Sequence, residues 1–127
     1  MSARILVVDD DHDNADSLAR LVQILGQEPI VAYSGAQAIR AAEEQQPELA
    51  LIDIGMPGMD GYETAARIRR STGGRTILVA VTGWSRAEDK QRATDAGFDL
   101  HYSKPISVDA LQELLEIPDL ASAAAAT

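Results

Sequence analysis

Five short apolar runs, rich in β-branched residues, punctuate the chain: Arg4–Val8, Ile30–Tyr33, Leu49–Asp53, Thr76–Thr82 and Phe98–Tyr102. Each is too short for a stable helix and shows little polar alternation, which predicts strands buried on both faces. The polar stretches between them carry apolar residues at helical spacing. These are Leu18, Leu21, Val22 and Leu25 in the first, Ala36, Ile39 and Ala42 in the second, and Tyr62, Ala65, Ala66 and Ile68 in the third. Val108, Leu111 and Leu115 mark a last helix. The fourth stretch, Ser85–Ala96, reads "SRAEDKQRATDA" and offers only alanines to a core, which makes it the candidate mobile helix. Gly26 and Gly97 stand where helices should end. Strand and helix alternate, so the pattern predicts an α/β fold: a parallel sheet with helices on both faces, joined by right-handed crossovers.

Composition narrows the function classes. A chain of 127 residues fits one domain with a sizeable core. That domain is expected over residues 3–116, with 117–127, "IPDLASAAAAT", a poorly ordered tail or linker stub. Cysteine is absent, which removes disulfides and thiolate metal sites and fits a reducing compartment. The first residues lead straight into a strand, without a signal-peptide layout or a membrane-spanning run, so a cytoplasmic location is expected. Twenty acidic residues against eleven basic ones give a formal net charge of −9, which disfavours direct contact with nucleic acid or anionic membrane. The local basic group Arg67, Arg69, Arg70 and Arg75 reads as a solvated face at a helix end.

The chemistry gathers at one edge. Ligands of open α/β sheets bind beyond the carboxyl ends of the strands. Asp9, Asp10 and Asp11 follow the first run, Asp53 ends the third, Thr82 ends the fourth, and Lys104-Pro105 follows the fifth. Singly, each has a plain explanation as a helix cap, a turn residue or a solvated lysine. Jointly they pose a problem, because adjacent carboxylates at 4 Å repel by roughly 4 kcal/mol at an effective dielectric near 20.

At these residues the sequence resembles the receiver domains of two-component response regulators, from Ala3 to Glu116. "ILVVDDD" carries an acidic pair at Asp9 and Asp10. "LIDIGMPGMDGYE" carries a phosphoacceptor at Asp53, "VAVTG" a hydroxyl at Thr82, and "SKP" the Lys104-Pro105 pair. The wording "DIGMPGMDGYE" and "AGFDLHYSKP" is similar to receivers attached to hybrid histidine kinases. The resemblance implies a flavodoxin-like, doubly wound sheet of five strands in order 2-1-3-4-5 with five flanking helices, an order that general fold rules already illustrate with a chemotaxis receiver.

The resemblance also implies a site. Mg²⁺ would be held by Asp9, Asp10, Asp53 and the Gly55 carbonyl, which answers the crowding of carboxylates. Asp53 would accept a phosphoryl group from the phosphohistidine of a histidine kinase or phosphotransfer protein, or from a small phosphodonor, with Thr82 and Lys104 assisting. Such a domain catalyses only its own phosphorylation and dephosphorylation, and answers through a protein partner that the sequence leaves unnamed. Lys104-Pro105 would be a cis peptide, and Pro57, Gly58 and Gly61 would shape a tight loop with Asp60 as a helix cap. Thr82 and His101 would form the switch. His101 departs from the usual aromatic, and a plain surface histidine is the competing reading. Trp84 stands where the family tunes phosphoryl lifetime; shielding from water and simple packing are both open. The rival reading is a haloacid-dehalogenase-type phosphatase with Asp9 as nucleophile and Asp11 as acid/base, which leaves Asp53 unexplained and lacks late acidic ligands in "ISVDALQELLE". A flavodoxin-like mononucleotide binder is disfavoured because three aspartates would repel the phosphate.

Overall fold

Five parallel strands form one sheet in the computed structural model, which describes residues 3–83 and 87–116. The elements run β1 (Arg4–Val8), α1 (His12–Ile24), β2 (Glu28–Ala32), α2 (Gly35–Gln45), β3 (Leu49–Asp53), α3 (Gly61–Thr72), β4 (Ile77–Thr82), α4 (Ala87–Ala96), β5 (Leu100–Ser103) and α5 (Val108–Glu116). The sheet order is β2-β1-β3-β4-β5, as expected. Residues 117–127 and Trp84, for which the sequence raised expectations, lie outside the described residues.

Alternation along each strand builds two cores. Leu6, Val8, Ala50 and Ile52 face α2 and α3 through Ala38, Ala42, Ala65 and Ile68. Ile5, Val7, Leu49 and Leu51 face α1 and α5 through Ala15, Val22, Leu111 and Leu114. Every residue of β3 is buried, which is why its run shows no polar face. The register aligns the carboxyl ends: Val8 pairs with Ile52, Asp53 with Val81 and Thr82 with Ser103. The residues that follow these strands therefore share one edge.

Several local expectations shift. β2 begins at Glu28 and contains Pro29, ending before Tyr33. β2 is an edge strand, where a missing N–H need not break a ladder. β4 starts one residue late, at Ile77, and the buried Thr76 hydroxyl before it donates to the Pro47 carbonyl at 2.8 Å. β5 starts at Leu100 because Phe98 N donates back to Ala93 O, so Phe98 closes α4 while its ring stays buried. In α2 the buried face is Gly35, Ala38 and Ala42, with Ala36 exposed. A Cβ on Gly35 would lie 2.5 Å from Thr64 Oγ1, so the close approach of α3 sets the helix phase. Val108, expected on the inner face of α5, is exposed at the first turn, and Leu114 is buried beside Leu111 and Leu115.

Candidate functional site

Ladder hydrogen bonds carry the sheet one step past its strands and position the site. Asp9 N donates to Ala32 O at 3.2 Å, Ile54 N to Val81 O at 3.1 Å, and Lys104 N to Thr82 O at 2.8 Å. Asp9, Asp10 and Asp53 thereby converge, and one carboxylate oxygen from each lies within 4.8 Å of the other two. Asp9 and Asp53 are buried and Asp10 is exposed. Lys104 Nζ is 2.9 Å from Asp53 Oδ1 and 3.7 Å from Asp9 Oδ2. The Lys104–Pro105 peptide is cis. Thr82 is buried at the end of β4, one strand from Asp53.

The surrounding backbone fixes the carboxylates. Asp11 N donates to Asp9 Oδ1 at 3.0 Å and Gly55 N to Asp53 Oδ1 at 3.2 Å. Gly61 N donates to Ile54 O at 3.1 Å, and a Cβ on Gly61 would sit 2.6 Å from the Asp53 carbonyl oxygen. Only glycine lets the first turn of α3 come this close to the backbone of Asp53. Asp60 caps that helix, its Oδ1 accepting from Glu63 N at 3.0 Å.

Electrostatics follow from burial. Desolvation raises the Asp9 carboxyl above its ordinary value; the Asp11 amide opposes this, Asp53 adds to it and Lys104 opposes it. Burial lowers Lys104, but the hydrogen bond and charge of Asp53, with Asp9, outweigh it and hold the ammonium form above its usual range. Three formal negative charges thus face one cation. An all-oxygen donor set with excess negative charge fits a hard divalent ion that keeps several waters, such as Mg²⁺.

Other expected residues fall differently. Asp11 lies outside the carboxylate cluster, and its Oδ1 caps α1 by accepting from Asn14 N at 3.2 Å. The phosphatase alternative had given Asp11 the acid/base role, and the cluster forms around Asp53 instead. His101 is half-buried on β5, with Nε2 fully buried and without a hydrogen-bond partner among the described residues. Burial lowers its pKa and Lys90 lowers it further, against Asp89. It is therefore no plain surface histidine. Arg69 is no solvated arginine either: it donates to Gly73 O, Thr76 O, Gly97 O and Asp99 Oδ2. Arg67 keeps the solvated role in an exposed pair with Glu63.

Sequence reasoning missed two contacts beside the site. The His12 ring stacks on Tyr33 with centroids 3.7 Å apart, and Tyr33 Oη donates to Asp16 at 2.6 Å. Arg92 of α4 lies 4.2 Å over the Tyr62 ring and 3.7 Å from Asp60. Neither pair has sequence spacing that could signal it. A cleft of about 440 Å³ adjoins the carboxylates, lined by Val8, Leu51, Leu18, Leu21 and Ile106 beside Asp9, Asp53 and Lys104. No helix among the described residues is long and apolar enough to cross a membrane.

Known proteins are similar to this chain in sequence and in fold. The chain is 40% identical over 121 residues to the virulence sensor protein BvgS of Bordetella pertussis, covering 91% of this chain but 10% of that protein. It thus spans about a tenth of that relative's length. A CheY-like response regulator receiver domain protein from Methanospirillum hungatei superposes with a TM-score of 0.87 at 29% identity, covering 96% of this chain and 98% of that one. The receiver domain of sensor histidine kinase PA1611 from Pseudomonas aeruginosa, whose structure has a magnesium ion coordinated in the active-site cleft, superposes with a TM-score of 0.82 at 29% identity, covering 91% and 96%. The sequence matches the response regulator receiver domain family over residues 5–116, and with the fold and the acidic edge in agreement, the chain belongs to that family.

Proposed function

We propose that this receiver domain is a phosphorylatable switch in which Asp53 accepts a phosphoryl group from the phosphohistidine of a histidine kinase or phosphotransfer protein, or from a small phosphodonor. The observation that carries the reading is Lys104 Nζ 2.9 Å from Asp53 Oδ1, beside the carboxylates of Asp9 and Asp10. An Asp53 oxygen forms a bond to phosphorus as the donor's N–P bond breaks, and the electron pair leaves with the imidazole. Lys104 meets a phosphoryl oxygen as a point charge, and the Thr82 hydroxyl donates to another. Asp9, Asp10, Asp53 and the Gly55 carbonyl would hold Mg²⁺, which when bound neutralises phosphoryl charge. Thr82 and His101 relay the change to the face formed by α4, β5 and α5, and output is by protein contact. The absence of cysteine and the acidic surface suit work in the cytoplasm without direct nucleic-acid or membrane binding.

Intact mass after acetyl phosphate treatment tests this. Wild type should gain one phosphoryl group only when Mg²⁺ is present, and Asp53→Asn should gain none. Equal gain by the variant would reject Asp53 as acceptor.

A further inference from the structure

The C-terminal end of α4 and the helix body before it are secured differently. At its C-terminal end Gly97 turns the chain with φ +104°, and Phe98 N donates to Ala93 O. Arg69 of α3 donates to Gly97 O at 2.8 Å and to Asp99 Oδ2 at 2.7 Å, and the same carboxylate oxygen accepts from Leu78 N at 2.9 Å. That end is tied to both α3 and β4. Along the helix body, Ala93 is the one fully buried side chain among those described, with Ala96 half-buried. So small an apolar surface gives little hold.

Arg92 supplies a second tie. Its guanidinium lies 4.2 Å over the Tyr62 ring, and Nη2 is 3.7 Å from Asp60 Oδ2. Asp60 caps α3 through its other oxygen, at the far end of the loop that leaves Asp53. Tyr62 in turn packs edge-on against Phe98, with centroids 6.5 Å apart. One exposed arginine therefore joins α4 to the phosphoacceptor loop. Its side chain is 65% exposed, so the tie is weak enough to be broken.

We propose that Arg92 is a positioning residue for the switch, a latch that holds α4 against the N-terminus of α3 before phosphorylation and lets it pivot about Gly97–Asp99 once the loop rearranges. The inference rests on the reading of Asp53 as phosphoacceptor. A phosphoryl group can favour the released state only by overcoming the contacts of the held one. Removing the latch in advance should speed phosphorylation by about 2- to 5-fold, an exposed cation–π pair of ~0.5–1 kcal/mol converted at ~1.4 kcal/mol per tenfold.

The test compares wild type, Arg92→Ala, Tyr62→Leu and the double variant. Amide hydrogen exchange is measured without phosphodonor, and the phosphorylation rate with acetyl phosphate and Mg²⁺. Expected are faster exchange at residues 89–93 with residues 97–100 unchanged, a higher rate in each single variant, and a gain in the double variant well short of the product of the two single gains, because Arg92→Ala already removes the cation–π contact that Tyr62→Leu breaks. Unchanged exchange at residues 89–93 overturns the latch whatever the phosphorylation result. Faster exchange with an unchanged or lower rate overturns its role in switching, as do fully additive rates. Failure of wild type to gain a phosphoryl group would instead remove the phosphoacceptor reading, and the regulatory role with it.

Discussion

Asp9 illustrates how a single residue carries a conflict between folding and chemistry. Burial and the neighbouring Asp53 raise its carboxyl above the ordinary value of 3.8, so the folded state holds that proton more tightly than the unfolded chain does. The stability it contributes is present below pH 3.8 and is lost as pH rises through the folded value. At neutral pH without divalent cation, Asp9→Asn should therefore raise the unfolding free energy by about 1 kcal/mol, with no gain below pH 3.8, and so steepen the fall in stability toward acid pH. Urea denaturation of both proteins between pH 3 and pH 7 checks this, and identical profiles would contradict it. His101 titrates in the opposite sense. Its pKa is lowered from 6.5, so its contribution is present above pH 6.5 and is lost as pH falls through the lower folded value. His101→Phe should lose that part of the decline, giving a smaller drop in Tm between pH 7 and pH 5 than wild type. Parallel curves would return His101 to the role of a surface residue. The aspartates and Lys104 were legible because each follows an apolar run. The burial of His101 Nε2 and the four acceptors of Arg69 were not, because both depend on neighbours distant in sequence.

Elements obey local chemistry where that chemistry is strong. Asp11, Ser34 and Asp60 cap α1, α2 and α3 through their side-chain oxygens, and Gly26 and Gly97 take the positive φ that follows a helix. α2 breaks the pattern. Its C-cap is Gln46 at φ 47° and ψ 64°, a left-handed conformation that favours glycine, followed by Pro47. Gln46→Gly should stabilise the domain by about 0.5–1 kcal/mol after allowing for the added freedom of the unfolded chain. A shift in denaturation midpoint at constant slope would show it, and a loss of stability would mean that Gln46 makes compensating contacts. Periodicity marked α1, α2, α3 and α5, with α4 only a weak candidate, but misjudged the phase of α2, because alanines and a glycine differ too little in apolar character to set a face. The approach of Thr64 and Met59 to Gly35 sets it instead.

At the scale of the whole molecule, the parallel register turns four separate sequence positions into one charged pocket between two apolar layers. Binding of a divalent cation there should stabilise the folded state by linkage, about 1.4 kcal/mol at tenfold excess over Kd and roughly 3–6 °C in Tm. Thermal unfolding with and without Mg²⁺ checks this, and Asp9→Asn should show a smaller shift. No response in wild type would mean that the carboxylates do not form a cation site.

The sequence by itself determined the α/β class, the five strands and the edge on which the acidic residues gather. Each of these follows from a local pattern: apolar runs of strand length, helical spacing and the residue just beyond each run. Tertiary structure alone decided the phase of α2, the starts of β2, β4 and β5, the burial of His101, and the ties that Arg69 and Arg92 make to elements far along the chain. The physical reason is that these depend on which surfaces meet, and burial, close approach and charge pairing across a fold leave no periodic trace in the order of residues.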